Sequence, residues 1–160
     1  MNIEFLDGYL GGISALDGAI RQYLACAFMT SFNRGDVVED VRIFYSPDFQ
    51  LQCSAAEIMP GGLKELEKEM QSYLIQNLLG YHLQFDAKSI EERRRYLAFR
   101  VMDFLCELLG SDVRESKVYK FEAYLNNICY KFFSVSCKNK VLHLQFSEIY
   151  KEEPLKNKLE

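Results

Sequence analysis

No tryptophan occurs among the 160 residues, and histidine and proline are scarce, at two and three. No apolar run reaches the length of about 18 residues that a bilayer-crossing helix needs, so a chain without a membrane-spanning helix is expected. Glu4 and Asp7 fall where a secretory leader would carry its apolar stretch, which predicts a cytoplasmic protein. His82 and His143 lie far apart, with no closely spaced Cys or carboxylate beside either, so no zinc-type ligand pattern exists. Each histidine is expected as a half-exposed strand residue. Gly11-Gly12 and Gly61-Gly62 lack the spacing and flanks of a phosphate-binding loop. No cofactor and no metal follow from these patterns.

Cysteine is present but unorganised. Cys26, Cys53, Cys106, Cys129 and Cys137 are odd in number, irregular in spacing and without a Cys-x-x-Cys pair. Each has apolar or strand-like neighbours, where a reduced thiol packs as a small hydrophobe. Cys129 and Cys137 are the only two expected to be able to face each other. A nucleophilic Cys–His pair needs a partly exposed thiolate in an electropositive setting. Cys129 or Cys137 with His143 is the nearest candidate, yet strand pairing around Lys138–Lys140 puts neither directly opposite that histidine.

What the chain does have is ordinary globular composition, 49% apolar and 26% charged, which excludes intrinsic disorder. The 12 Phe and 10 Tyr predict an aromatic core. The length suits a single domain over residues 1–160, with a charged, frayed tail from 151 to 160.

Periodicity predicts the elements. Ile13, Leu16, Ile20, Leu24, Ala27 and Phe28 recur at helical spacing after Gly11-Gly12, with a stop at Asn33-Arg34-Gly35. Val37 to Tyr45 and Phe49 to Ser54 alternate on either side of Ser46-Pro47-Asp48, as in a β-hairpin. A second helix runs from Leu63 to Leu78, closed by Gly80, and Tyr81 to Phe85 reads as a short strand or extended linker. A third begins at a capping box, Ser89-Ile90-Glu91-Glu92, and ends at Gly110. Val118–Leu125, Ile128–Cys137 and Val141–Ile149 form a three-stranded meander, with Leu142, Leu144 and Phe146 facing the core and His143 and Gln145 on the other side. The sum is an α+β class: an antiparallel sheet of N-terminal hairpin plus C-terminal meander, packed against three amphipathic helices.

Charge carries the functional expectation. The net charge of −4 is unevenly spread, because residues 1–59 hold eight acids and three bases. Asp36, Glu39 and Asp40 form the densest acidic group outside a helix and are the expected partner-binding residues. An acidic face attracts basic proteins and repels nucleic-acid phosphate. Arg93, Arg94, Arg95 and Arg100 form the one basic cluster, but Glu91, Glu92 and Asp103 share its helix, which predicts local ion pairs rather than a nucleic-acid stripe.

In size, charge and lack of catalytic motifs the chain is similar to bacterial immunity proteins of contact-dependent or polymorphic toxin systems. That resemblance implies a non-catalytic inhibitor, immunity or antitoxin in type, that covers a basic partner such as a toxin domain. The alternatives are a small enzyme with a scattered Cys/His site, or a structural or chaperone-like subunit using an aromatic strip of Phe44, Tyr130 and Phe132.

Overall fold

The structure is a computed structural model; it describes residues 2–16, 21–28, 37–44, 52–74, 87–110, 115–126, 128–138 and 140–149. Within them the order is α1 (Ile3–Leu16), β1 (Arg21–Phe28), α2 (Val37–Phe44), β2 (Gln52–Cys53), β3 (Glu57–Ile58), α3 (Gly62–Tyr73), α4 (Ala87–Leu109), β4 (Lys117–Leu125), β5 (Ile128–Cys137) and β6 (Lys140–Ile149). The expected α+β class stands. The sheet is open and antiparallel, ordered β1-β6-β5-β4, with β2 and β3 both pairing to the outer side of β4.

The meander forms as the sequence predicts. β4 and β5 are joined through residues 126–127, and β5 and β6 through 138–139. Asn126 (φ 48°) and Lys138 (φ 52°) take the left-handed conformation that two-residue hairpin loops require. Val118, Phe133, Val135, Cys137, Leu142, Leu144 and Phe146 share one face and pack with α1, α3 and α4 in the main core. The opposite face carries Phe121, Ala123 and Phe132, covered by Val37, Val38 and Val41 of α2. Two covered faces explain why every residue from Val141 to Ser147 is buried, although side chains alternate along a strand.

The first third departs from expectation. The helix lies earlier, over 3–16, and carries Gly8, Gly11 and Gly12 within it. Interior glycine costs a helix about 1 kcal/mol relative to alanine. Burial of Leu6, Leu10 and Ile13 at helical spacing outweighs that cost. Asn2 starts the helix, its Oδ1 accepting from the Phe5 amide at 3.2 Å. Residues 21–28, read from the sequence as the helix's second half, instead pair with β6 along all eight positions. The run Tyr23 to Phe28 is apolar throughout, so periodicity there fits helix and strand equally.

The expected N-terminal hairpin does not form. Val37–Phe44 is helical, with valines at 37, 38 and 41 turned to the sheet. Glu39 and Asp40 in its first turn and Arg42 in its last complement the helix dipole. Of the second hairpin arm, the described part pairs with β4 instead, Gln52 opposite Tyr124 and Cys53 opposite Ala123. Residues 45–51 lie outside the described set, as do Asn33–Gly35, Leu78–Gly80, Tyr81–Phe85 and the expected tail at 151–160.

α3 ends at Tyr73, where the Leu74 amide still donates to the Met70 carbonyl at 2.8 Å. Its Leu66 and Met70, and Leu74 just past its end, are fully buried. α4 has already begun at Ala87, so Ser89 stands within its first turn rather than at the expected cap. Its predicted end holds: Gly110 has φ 82°, which an L side chain resists.

Candidate functional site

Two of the three expected partner-binding residues, Glu39 and Asp40, stand side by side in the first turn of α2, both half-buried. Asp36 lies outside the described residues. They sit on a helix, not at a strand start as the alternation of Val41, Ile43 and Tyr45 suggested. Glu39 also faces Arg42 one turn on, Oε2 to Nη1 at 3.7 Å. An exposed i,i+3 pair of this kind contributes a few tenths of a kcal/mol and leaves both groups accessible. α2 is therefore an acidic edge fixed by apolar anchors: its valines close over Phe121 and Phe132, whose rings stack at 5.0 Å.

The same closure removes Phe132 from the expected aromatic strip, while the Phe44 side chain lies outside the described set. Phe132 is fully buried in the second core, and Tyr130 is half-buried and stacked against it at 6.3 Å. The face that an exposed sheet would have offered is occupied by α2.

His143 is also not where the sequence placed it. It is fully buried in the middle of β6, on the α2 side of the sheet, among Ser134, Gln145 and Ser147. Ser134 is its cross-strand partner on β5, with Oγ 2.6 Å from Nδ1. Depending on the tautomer, the hydroxyl donates to Nδ1 or accepts from it. Burial disfavours the imidazolium and lowers the histidine pKa to about 4, so the ring is neutral at physiological pH. Gln145 Oε1 has no hydrogen-bond partner among the described residues. The row is a polar seam inside an otherwise apolar layer, and both members of the Ser134–His143 pair are sealed from solvent.

The cysteines fall into place by register. Cys137 pairs with Lys140 and Cys129 with Glu148, so neither opposes His143, as the sequence implied. Both stand on β5, eight residues apart, and do not face each other as expected; neither forms a disulfide. Cys26 on β1 is the residue at the register position opposite His143. Sequence reasoning missed it by placing residue 26 on a helix. It missed Ser134 by assuming a three-residue break at 138–140; the two-residue loop sets Ser134 against His143. His82 lies outside the described residues. Among the described residues there is no group of three His, Cys, Asp or Glu suited to a metal ion, and no helix long and apolar enough to cross a membrane.

The helical layer carries a surface feature that the sequence reading did not single out. Phe5 of α1 and Tyr96 and Phe99 of α4 are 55%, 62% and 56% exposed. Phe5 and Tyr9 meet Phe104 edge-on at 5.2 and 5.1 Å, and the Arg100 guanidinium covers that ring at 4.7 Å. The signal was present, since Val101, Phe104, Leu105 and Leu108 define the buried arc of α4 and Tyr96 and Phe99 fall outside it. In the basic cluster beside them, Arg95 pairs with Glu91, and Arg100 with Asp103 at 2.8 Å.

A part-buried polar network ties α3 to the sheet. Lys120 Nζ donates to Glu69 Oε1 at 3.1 Å, and Lys131 Nζ to the Tyr73 hydroxyl at 2.9 Å, with Glu122 3.7 Å away. Charges of both signs are matched here, which suits fastening rather than ligand capture. Comparisons with protein-family models, with curated proteins and with solved structures found no match.

Proposed function

We propose that this protein is a non-catalytic protein-binding module of the immunity or antitoxin kind, which covers a basic partner, such as a toxin domain, in the cytoplasm. The observation that carries the reading is α2. Three valines pin this short helix to the sheet, and Glu39 and Asp40 stand at its outer rim. A rigid acidic edge needs no chemistry of its own to block a basic surface, and it accelerates encounter by electrostatic steering. The concentration of acids in residues 1–59 supports the same sign of partner.

The test is charge reversal at the rim. Recovery from the native cell should yield a stoichiometric basic protein, and the purified pair should associate more slowly as salt rises. Glu39→Lys with Asp40→Lys should cut the association rate at low salt at least about tenfold while leaving the circular dichroism spectrum unchanged. A partner that binds the reversed variant at the original rate would remove the α2 reading, and the absence of any stoichiometric basic protein would remove the module reading itself.

A further inference from the structure

The outer side of α1 and α4 lies across the sheet from α2, and its chemistry is bipolar. Phe5 and Tyr9 both meet Phe104, and Tyr9 also lies within electrostatic reach of Tyr96 and Arg100, earlier in α4. The two helices therefore run antiparallel, with the start of α1 beside the later half of α4. α1 carries Glu4 and Asp7 and no basic residue. The first part of α4, residues 87 to 99, carries four basic residues and two acidic ones, a net of +2, while Arg100 is paired with Asp103. One end of the face is thus acidic and the other basic, with Tyr96 and Phe99 exposed between them and Phe5 exposed within the acidic end.

We infer that this face pairs two copies of the chain about a two-fold axis passing near the aromatic side chains. A two-fold interface sets each residue against a symmetry-related patch, so a surface must complement itself. Rotation about that axis lays the Glu4–Asp7 end of one copy on the Arg93–Arg95 end of the other, at both ends at once. The same operation brings Tyr96 and Phe99 of each copy to the centre. Central aromatics within a polar rim are the composition that carries binding energy in protein interfaces. A partner of uniform charge would gain at one end of this face and lose at the other. Phe132 of the aromatic surface expected on the sheet is buried beneath α2, whereas Phe5, Tyr96 and Phe99 on the helices are exposed.

Sedimentation equilibrium over a concentration series, with the full chain, tests the inference. The wild type should approach twice the 18.7 kDa chain mass. Tyr96→Ser with Phe99→Ser removes two exposed rings and leaves the core untouched, so the thermal transition of the monomer should persist. The dimer should weaken at least about 30-fold in that variant, the tenfold-per-1.4 kcal/mol conversion of one lost hot spot. Glu4→Lys with Asp7→Lys should weaken it too, and adding Arg93→Glu with Arg95→Glu should restore it, which a merely destabilised fold would not do. A chain that stays at monomer mass at every soluble concentration overturns the inference. A dimer indifferent to both the aromatic and the charge variants overturns it equally. Binding of a basic partner is read with the α2 variants, so either idea can fail while the other stands.

Discussion

His143 gives the fold a defined weakness to acid. Its ring is buried beside Ser134, and burial holds its pKa at about 4 against 6.5 for the free side chain. As pH falls through 6.5, the unfolded chain takes up a proton that the folded chain refuses, so stability is lost with falling pH and the loss saturates below pH 4. Linkage between those two values gives about 2 kcal/mol lost between pH 7 and pH 5, approaching about 3 kcal/mol below pH 4. Against a typical total of about 5–15 kcal/mol for a domain, that is a large share.

Urea unfolding of the wild type and of His143→Gln, each at pH 7 and pH 5, isolates the effect. Glutamine retains an amide that can pair with the Ser134 hydroxyl and does not titrate in this window. Every carboxylate is common to both chains, so the difference between the two pH dependences belongs to position 143. The wild type should lose about 2 kcal/mol more than the variant between the two pH values, with similar denaturant slopes. Equal losses in both chains, or a folded-state His143 that titrates near its free value by NMR, would show that the pocket does not desolvate the ring as described.

Two further outcomes follow from the backbone. Gly8 in α1 has open space where a Cβ would stand and Gly110 has a φ of 82°, so alanine should act oppositely at the two positions. Gly8→Ala should raise stability by about 0.5–1 kcal/mol and Gly110→Ala lower it by about 1 kcal/mol, read as shifts of the thermal midpoint in opposite directions. Ser54 lies between β2 and β3, where its amide donates to the Glu122 carbonyl at 2.8 Å and its hydroxyl accepts from the Glu122 amide at 2.9 Å. Ser54→Ala should cost about 1 kcal/mol and speed hydrogen exchange at Glu122 while leaving the Val135 amide on β5 protected.

The later half of the chain was the more legible, and the reason is local. In the meander the strands are neighbours in sequence and one core face alternates, so pattern alone fixes the strands; it missed the two-residue length of the second turn and the burial of both faces of β6. The end of α4 is equally local, because Gly110 stops the helix from within. β1 is the opposite case: its partner β6 is more than 100 residues away, and an unbroken apolar run contains no period to distinguish strand from helix.

α2 is the sharpest instance, and it decides how the candidate site is read. Val41, Ile43 and Tyr45 alternate as a strand would, while Val37, Val38 and Val41 cluster as a helix would. β-branched residues tilt local preference toward the strand. What reverses it is the apolar surface of Phe121, Ala123 and Phe132, more than 75 residues later, which the helix can cover with three valines while its acids stay at the rim. The choice is made by burial rather than propensity. Its consequence reaches function: as a strand, the segment would have sent Glu39 and Asp40 to opposite faces, whereas one helical turn keeps them together. Glu39 and Asp40, two of the three acids that sequence picked out for density, share a helical turn only because distant aromatic side chains make a helix of the segment.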